Sequence, residues 1–177
     1  MMRPMLFALL LVSIVVPALE AGQSTSSPRT TSAGVVDTVT ISIEYGAPSK
    51  RGRVIWGGLR PWNEWWMPGA DAATTMTTSA ALMVGGLRVP AGDHTVYAIP
   101  GEETFLLTIN SRTGQFHTEY SPELDLGRVP MKLRMLTEPV EKMTFAVEPN
   151  AAGGGGFLKL IWDDREYSVA VAAAAPR

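Results

Sequence analysis

The sequence alternates apolar and polar residues in short runs, a pattern that is typical of β-strands. In the first run Val39, Ile41, Ile43 and Tyr45 share one phase, and the residues between them are threonine, serine and glutamate. Because successive side chains of a strand point to opposite faces, this run predicts a strand with one buried face. The same period recurs in Phe105, Leu107 and Ile109; in Val129, Met131, Leu133 and Met135; in Met143, Phe145 and Val147; in Leu158, Leu160 and Trp162; and in Tyr167, Val169 and Val171.

Turn-forming residues separate these runs, and no window of a dozen residues carries a convincing helical stripe. The predicted turns are Gly85-Gly86, the corner at 90–93, Pro100-Gly101, Asp163-Asp164 and the glycine-rich loop at 151–156. We therefore expect nine or ten short strands. A sheet with one apolar face must bury that face against another layer, so the pattern predicts an all-β, antiparallel two-sheet β-sandwich of Ig-like or jelly-roll-like kind. A closed β-barrel is the alternative.

The amino-terminal residues have the composition of a secretory signal peptide. Arg3 is followed by an apolar run over 5–16 and by small residues at Ala18 and Ala21. The run is shorter than the ~20 residues of a bilayer span, and no later segment is long enough, so we expect no membrane span after cleavage and export to the periplasm or the medium. Four regions are predicted: a signal peptide at 1–21, a flexible Ser/Thr-rich tether at 22–36, a single β-sandwich domain at 37–172 and a disordered tail at 173–177.

Composition excludes several classes of function. The chain contains no cysteine and has a formal net charge of −2. The lack of cysteine removes thiol nucleophiles, disulfides and copper sites of the cupredoxin kind. Proteins that bind nucleic acid carry an excess of Lys and Arg, so we do not expect a nucleic-acid ligand.

One segment, residues 45–75, interrupts the strand pattern and holds four of the five tryptophans. Tryptophan offers a large rigid apolar face with one N–H donor, and it serves both to fill a core and to stack on ligands. Trp56 follows an apolar pair and is expected in the core. Trp62, Trp65 and Trp66 lie on a loop that contains proline and asparagine, and loops run over the surface. These three indoles are therefore the candidate ligand-binding residues.

A set of spaced residues extends through the chain from about Tyr45 to Val171. The set comprises Tyr45-Gly46-x-Pro48, Gly52-Arg53-x-Ile55-Trp56-Gly57-Gly58-Leu59, Trp66-x-x-Gly69-Ala70-Asp71-x-x-Thr74-Thr75, Pro90-Ala91-Gly92, Ile99-Pro100-Gly101, Tyr120, Asp125-Leu126-Gly127-Arg128-Val129-Pro130-Met131 and Leu158-x-Leu160-x-Trp162. Through these residues the chain resembles an exported bacterial family called domain of unknown function 2911. That family has no established activity, so the resemblance implies no reaction and no cofactor.

Two positions depart from the pattern of the resembled family. Where that family usually has Trp-Arg-x-Gly-Ala-Asn, this chain has Met67 in place of the arginine and Asp71 in place of the asparagine. If the arginine bound a carboxylate or phosphate of a ligand, that role is lost or altered here. If both residues are structural, Asp71 still caps a turn and Met67 packs.

Catalytic motifs are absent from the sequence, and we lean against an enzyme. The chain has two histidines, His94 and His117, which is too few for a His-rich metal centre, so neither a metal nor another cofactor is expected. In a strand, His117 and Glu119 would face the same side and could pair as base and orienter. A surface ion pair is the simpler interpretation.

Three functional hypotheses follow. The first is a non-catalytic envelope or secreted module that binds a glycan or an extended peptide through Trp62, Trp65 and Trp66, assisted by Asp71 and Tyr120. The second is a hydrolase with His117 as base and Asp71 or Glu119 as its partner. The third is a purely structural envelope protein, which requires that all indoles are buried. The sequence leaves the oligomeric state open.

Overall fold

The computed structural model describes residues 27–176, and this part of the protein is built almost entirely from β-strands. The strands are β1 (Arg29–Val36), β2 (Val39–Gly46), β3 (Thr75–Thr78), β4 (Leu82–Val84), β5 (Leu87–Val89), β6 (Gly92–Pro100), β7 (Phe105–Asn110), β8 (Asp125–Pro149) and β9 (Gly156–Ala173), with one 3-10 turn at Pro122–Leu124. The predicted all-β class is confirmed. The predicted signal peptide lies outside the described residues. Within them, no helix has the length and apolar character needed to cross a membrane.

The nine strands of residues 27–176 form one antiparallel sheet in the order β1-β2-β3-β6-β7-β8-β9-β4-β5. The sheet folds over because the 25-residue strand β8 pairs first with β7 and then with β9. Across the core, the backbone N–H of Phe145 in β8 donates to the Tyr45 hydroxyl of β2 at 3.1 Å. The architecture is roughly that of the predicted sandwich, with the two layers joined through β8. The sheet is not closed into the barrel that was the alternative.

The predicted turn at Asp163-Asp164 is wrong, because both residues lie within the continuous strand β9. Asp163 has a left-handed φ of 54°, and the register between β8 and β9 shifts around Val140. The acidic pair therefore marks an irregularity within one strand and not a turn between two strands. Asp163 is buried and forms an ion pair with Lys50, a residue far away in sequence that no local pattern could supply.

The predicted tether extends too far, because residues 29–36 form strand β1. This strand pairs with β2 along its whole length, from Arg29↔Gly46 to Val36↔Val39. Gly34 lies so close to β8 that a Cβ atom there would come within 2.6 Å of the Val147 carbonyl oxygen. Glycine is needed at position 34 for this contact, and the mostly small and polar residues of β1 are what resembled a linker.

The predicted carboxy-terminal tail is partly attached to the sheet. Strand β9 ends at Ala173, the Ala174 N–H donates to the Ala81 carbonyl at 2.9 Å, and Arg88 donates to the Ala175 carbonyl. The domain described therefore begins at β1 and includes residues that were assigned to both flanking segments.

Asp37, between β1 and β2, joins the first hairpin to both ends of β9. Its carboxylate accepts the backbone N–H groups of Ala173 at 2.9 Å and Gly155 at 2.8 Å, and these bonds lower the pKa of Asp37. Asp37 also has a φ of 55°, a conformation that aspartate and asparagine adopt more readily than alanine.

Asp37→Ala is expected to lower the Tm at neutral pH, and Asp37→Asn is expected to lower it less, because asparagine tolerates the left-handed φ and keeps one acceptor. A lowered pKa means that the stabilisation is present above the ordinary value of 3.8 and is lost as the pH falls through the folded-state value. The difference in Tm between wild type and Asp37→Ala should therefore shrink in acid. Calorimetry at several pH values tests this, and equal Tm values at neutral pH would refute it.

The centre of the core is aromatic. Trp56 makes edge contacts with Phe105, Trp162 and Tyr167, and the rings of Phe105 and Tyr167 stack with centroids 4.0 Å apart. Trp56 is 7% exposed, so it lies in the core as expected. This cluster joins β7 and β9 to the loop that follows β2, and it anchors that loop against the sheet.

Candidate functional site

The long loop between β2 and β3, residues 47–74, carries the tryptophans that the sequence selected. It is fixed by backbone hydrogen bonds in both directions between Trp66 and Ala98 of β6, each 2.7 Å long. Asn63 and Asp71 adopt left-handed conformations with φ of 64° and 66°, which these two residue types tolerate well. The loop is therefore an ordered part of the molecule on which side chains have defined positions.

The three loop indoles have three different environments. Trp66 is only 6% exposed and stacks on Trp162 in the core, with ring centroids 5.9 Å apart. Trp62 is half-buried, and the Arg165 guanidinium lies 5.0 Å from the centre of its ring. Trp65 is 42% exposed. The structure therefore separates the predicted cluster and leaves Trp65 as its most accessible member.

Trp65 contacts two tyrosines, and we call Trp65, Tyr97 and Tyr120 the aromatic platform. The rings of Trp65 and Tyr120 are 5.1 Å apart and tilted by 37°, whereas Tyr97 is fully buried and meets Trp65 edge-on at 6.0 Å and Tyr120 at 4.5 Å. Tyr97 belongs to strand β6, which lies between β3 and β7 in the sheet. The buried Tyr97 ring thus supports the two partly exposed rings from beneath. Trp65 and Tyr120, which are two of the predicted binding residues, lie together.

Asp125 and Arg128, which we call the polar rim, flank the hydroxyl end of Tyr120. The Tyr120 hydroxyl donates to Asp125 Oδ2 at 2.6 Å, and Arg128 donates to the Tyr120 oxygen at 3.0 Å and to Asp125 Oδ2 at 3.1 Å. The other carboxylate oxygen, Oδ1, accepts from the buried Asn110 amide at 2.9 Å. Burial, followed by the bond to Asp125, raises the pKa of Tyr120 to about 12. Tyr120 therefore stays a neutral hydrogen-bonding phenol at physiological pH.

The buried Tyr97 is held by polar contacts of its own. Its hydroxyl donates to the Glu119 carbonyl at 2.7 Å and accepts from the Gln115 side-chain amide at 2.7 Å. Gln115 also donates to the Thr95 hydroxyl at 3.1 Å. Burial raises the pKa of the Tyr97 phenol. These bonds fix the ring on which Trp65 and Tyr120 rest, so the platform is pre-organised.

The predicted pairing of His117 with Glu119 is not formed. Both residues belong to a turn closed by the bond from Glu119 N–H to the Phe116 carbonyl, and not to a strand in which they would share a face. His117 Nδ1 lies 2.8 Å from the backbone carbonyl oxygen of Asp71, so this nitrogen carries the proton. The Glu119 carboxylate pairs instead with Arg112 at 2.6 Å. Asp71 thus meets His117 through its backbone, and its carboxylate does not orient the ring.

Metal and cofactor chemistry gains no support from the clustering of side chains. Among residues 27–176, no group of three or more histidines, aspartates and glutamates is arranged to hold a metal ion. Whether the protein is an enzyme, and whether it needs a cofactor, stay predictions from the sequence.

Comparison with known families gives a match over most of the chain. The model of a family described as "Protein of unknown function (DUF2911)" matches residues 27–171. The chain belongs to the DUF2911 family. No curated protein and no solved structure matches it. The resemblance noted in the sequence is confirmed, and the family match begins ahead of β1, in agreement with the structural start of the domain.

The two departures of this DUF2911 chain have clear structural positions. Met67 is fully buried and packs with Ala73 and Tyr97 beneath the aromatic platform, and its sulfur lies 3.3 Å from the Thr74 backbone nitrogen. Asp71 is exposed at a turn with a left-handed φ, where asparagine would be equally suitable. In this DUF2911 protein, position 67 therefore contributes packing and position 71 contributes backbone geometry.

Sequence reasoning missed four residues of the site: Tyr97, Asn110, Asp125 and Arg128. Tyr97 and Asn110 lie inside strands β6 and β7 and are buried, so local pattern gave them no functional signal. Asp125 and Arg128 were quoted among the residues that carry the family resemblance. Their position shortly after Tyr120 in the sequence was the signal that could have found the polar rim.

Proposed function

We propose that this DUF2911 protein is an exported, non-catalytic module that binds a glycan on the aromatic platform. The observation that carries the proposal is the exposure of Trp65, 42% of whose surface is accessible while its ring lies 5.1 Å from that of Tyr120. Indole and phenol rings expose large, rigid apolar faces with little conformational entropy to lose, which suits them to contact a ligand. Export rests on the leader-like sequence at 1–21.

The polar rim supplies what a sugar needs beside an aromatic face. Pyranose rings present apolar C–H faces and equatorial hydroxyl groups that both donate and accept. Arg128 provides a guanidinium beside Tyr120, with its side chain 43% exposed, whereas the Asp125 carboxylate is 10% exposed and holds Tyr120 and Arg128 in place. Hydrogen bonds to charged groups are stronger than neutral ones, so Arg128, positioned by Asp125, is suited to fix the orientation of a stacked ring.

A glycan suits this face better than an extended peptide. Peptides that add to a sheet need unpaired backbone groups along a strand edge. Beside the platform, the N–H and C=O groups of Ala98 in β6 are already paired with Trp66. Recognition must therefore use side chains, as sugar recognition does.

A purely structural role is less consistent with the tryptophans. That role requires every indole to be buried, whereas Trp65 is exposed and Trp62 is half-buried. Exposing a large aromatic side chain gains nothing for folding, because burial of apolar area is what stabilises the fold. A contact with a ligand gives that exposure a purpose.

The proposal predicts that Trp65→Ala and Tyr120→Ala each weaken glycan binding by about 10–30-fold, since loss of an aromatic contact at an interface costs about 1.4–2 kcal/mol. The measurement is a glycan array, followed by isothermal titration calorimetry with the glycans that bind. Trp62→Ala is the matched control. The indole that it removes lies on the same loop as Trp65 but contacts Arg165 instead of the platform. Tyr120→Phe isolates the hydroxyl and its bonds to the polar rim.

Two outcomes would end the proposal. One is the absence of binding by wild-type protein to any glycan on the array, with peptides captured instead. The other is a glycan affinity that Trp65→Ala and Tyr120→Ala leave unchanged. Circular dichroism of each variant confirms that a loss of binding is not a loss of folding.

A further inference from the structure

A concave site lies beside the loop of residues 47–74. It is a cavity of about 200 Å³ lined by Arg51, Arg53, Arg60, His117 and the backbone at Gly69 and Ala70, among other residues. We call it the arginine cavity. Among the described residues that line it, none carries a carboxylate.

Arg60 is the most unusual group of the arginine cavity. Its guanidinium lies over the Trp66 ring, 4.6 Å from the centroid, and its Nε atom is buried with no hydrogen-bond partner among residues 27–176. Burial and the nearby positive charge of Arg53 lower the pKa of Arg60 to about 10. A charged group held in this way is destabilised by its own surroundings, and a bound anion would relieve that cost.

Within residues 27–176, Arg53 is also held without a carboxylate contact. Its side chain donates to the backbone carbonyls of Lys50 at 2.9 Å and Ser49 at 2.6 Å, which orient the guanidinium and leave its charge uncompensated by these contacts. By contrast, four arginines elsewhere in the described residues are paired with acids: Arg29 with Glu44, Arg112 with Glu119, Arg128 with Asp125, and Arg134 with Glu166. The Glu141 carboxylate accepts the backbone N–H of Arg51 at 2.8 Å.

His117 completes the lining from another part of the chain. Its Nδ1–H is used by the Asp71 carbonyl, so Nε2 is the ring nitrogen left to meet a ligand, as an acceptor when neutral and a donor when protonated. Arginine forks match the oxygens of phosphate and carboxylate groups, and a neighbouring imidazolium adds a further donor. The cavity therefore brings together hydrogen-bond donors from two separate loops, and the arginine donors are positively charged.

We propose that the arginine cavity binds a small oxyanion, a phosphate or carboxylate group, through Arg53 and Arg60 with assistance from His117. The volume is below the roughly 300–1,000 Å³ of pockets for drug-sized ligands, so it fits an anionic group rather than a large molecule. The site is separate from the aromatic platform, and the proposal does not depend on glycan binding. The charged cavity recognises the anion, whereas the platform recognises a sugar face.

The test is isothermal titration calorimetry of the purified protein with inorganic phosphate and with citrate, in chloride buffers of matched ionic strength. Saturable binding of at least one anion is expected. Arg60→Met and Arg53→Gln should each weaken it by about tenfold to a hundredfold, the effect of losing a hydrogen bond to a charged group. Arg88→Gln is the matched control, because Arg88 donates to a backbone carbonyl in another part of the sheet. The anion with the higher affinity identifies the group that the cavity prefers.

Arg60→Met has a second expected result that a merely structural arginine would not give. Methionine retains a flexible apolar chain over Trp66 and removes a buried charge, so the Tm in anion-free buffer should not fall while anion binding is lost. Trp65→Ala should leave anion affinity unchanged. The proposal is overturned if neither phosphate nor citrate binds saturably, or if affinity is the same in wild type, Arg60→Met and Arg53→Gln.

Discussion

Trp162→Ala is expected to lower the free energy of unfolding by about 3–5 kcal/mol, the usual cost of removing a buried tryptophan. Trp162 is fully buried and stacks on Trp66, and its ring also meets Trp56 edge-on at 6.3 Å. Its indole N–H donates to the Glu141 carbonyl at 3.3 Å. Domains have a total stability of only about 5–15 kcal/mol, so this one change removes a large part of it.

Urea denaturation followed by circular dichroism measures this loss for Trp162→Ala. Trp65→Ala is the matched control, since it removes the same side chain from an exposed position and should cost about 0.5–1.5 kcal/mol, the worth of its aromatic contacts. If the two substitutions cost the same, burial at position 162 does not determine stability. Trp162→Phe, which fills part of the space, should lie between wild type and Trp162→Ala.

Asp125→Ala is expected to lower the free energy of unfolding by about 1–3 kcal/mol and to disrupt the platform as well. The Asp125 side chain is 10% exposed and accepts bonds from Asn110, Tyr120 and Arg128. Removing it leaves the buried Asn110 amide without this acceptor, and an unsatisfied buried donor costs that amount. Without its acceptor, the Tyr120 ring is no longer oriented, so glycan binding should fall along with stability.

Titration of Tyr120 tests its contact with Asp125 directly. The bond to Asp125 and its negative charge help to raise the pKa of Tyr120, so Asp125→Ala should lower that pKa from about 12, with burial keeping it above the ordinary 10.0. A raised folded-state pKa stabilises the protein below pH 10 and loses that effect as the pH approaches 12. Alkaline difference absorbance, with Tyr120→Phe to assign the signal, measures the shift. An unchanged Tyr120 titration in Asp125→Ala would contradict the role given to the carboxylate.

Much of the fold could be predicted from local pattern, because the period of two directly reflects which strand face is buried. Val39, Ile41, Ile43 and Tyr45 lie in β2 on its buried face, as expected. The pattern did not predict β1, because backbone pairing with β2 and not side-chain burial stabilises this strand. Strand β1 has few apolar side chains and is held by its backbone bonds to β2 and by the close approach of Gly34 to β8.

The candidate site was predictable only in part. Trp65 and Tyr120 were both selected from the sequence, and the structure brings their rings together. His117 and Glu119 were paired on the assumption of a strand, whereas the turn at 116–119 separates their partners. No sequence pattern pointed to Arg60, because its buried Nε atom and its position over Trp66 arise only in the folded loop.

The sequence by itself determined the all-β class, the membership of the DUF2911 family and the segment that carries the tryptophans, since composition and period are local properties. The tertiary structure decided which indole lies in the core and which reaches solvent. Trp65 and Trp66 are neighbours in the chain, yet Trp66 is fixed by its backbone bonds to Ala98 and its stacking on Trp162. Such contacts join residues far apart in sequence, so no local pattern encodes them, and they leave Trp65 exposed.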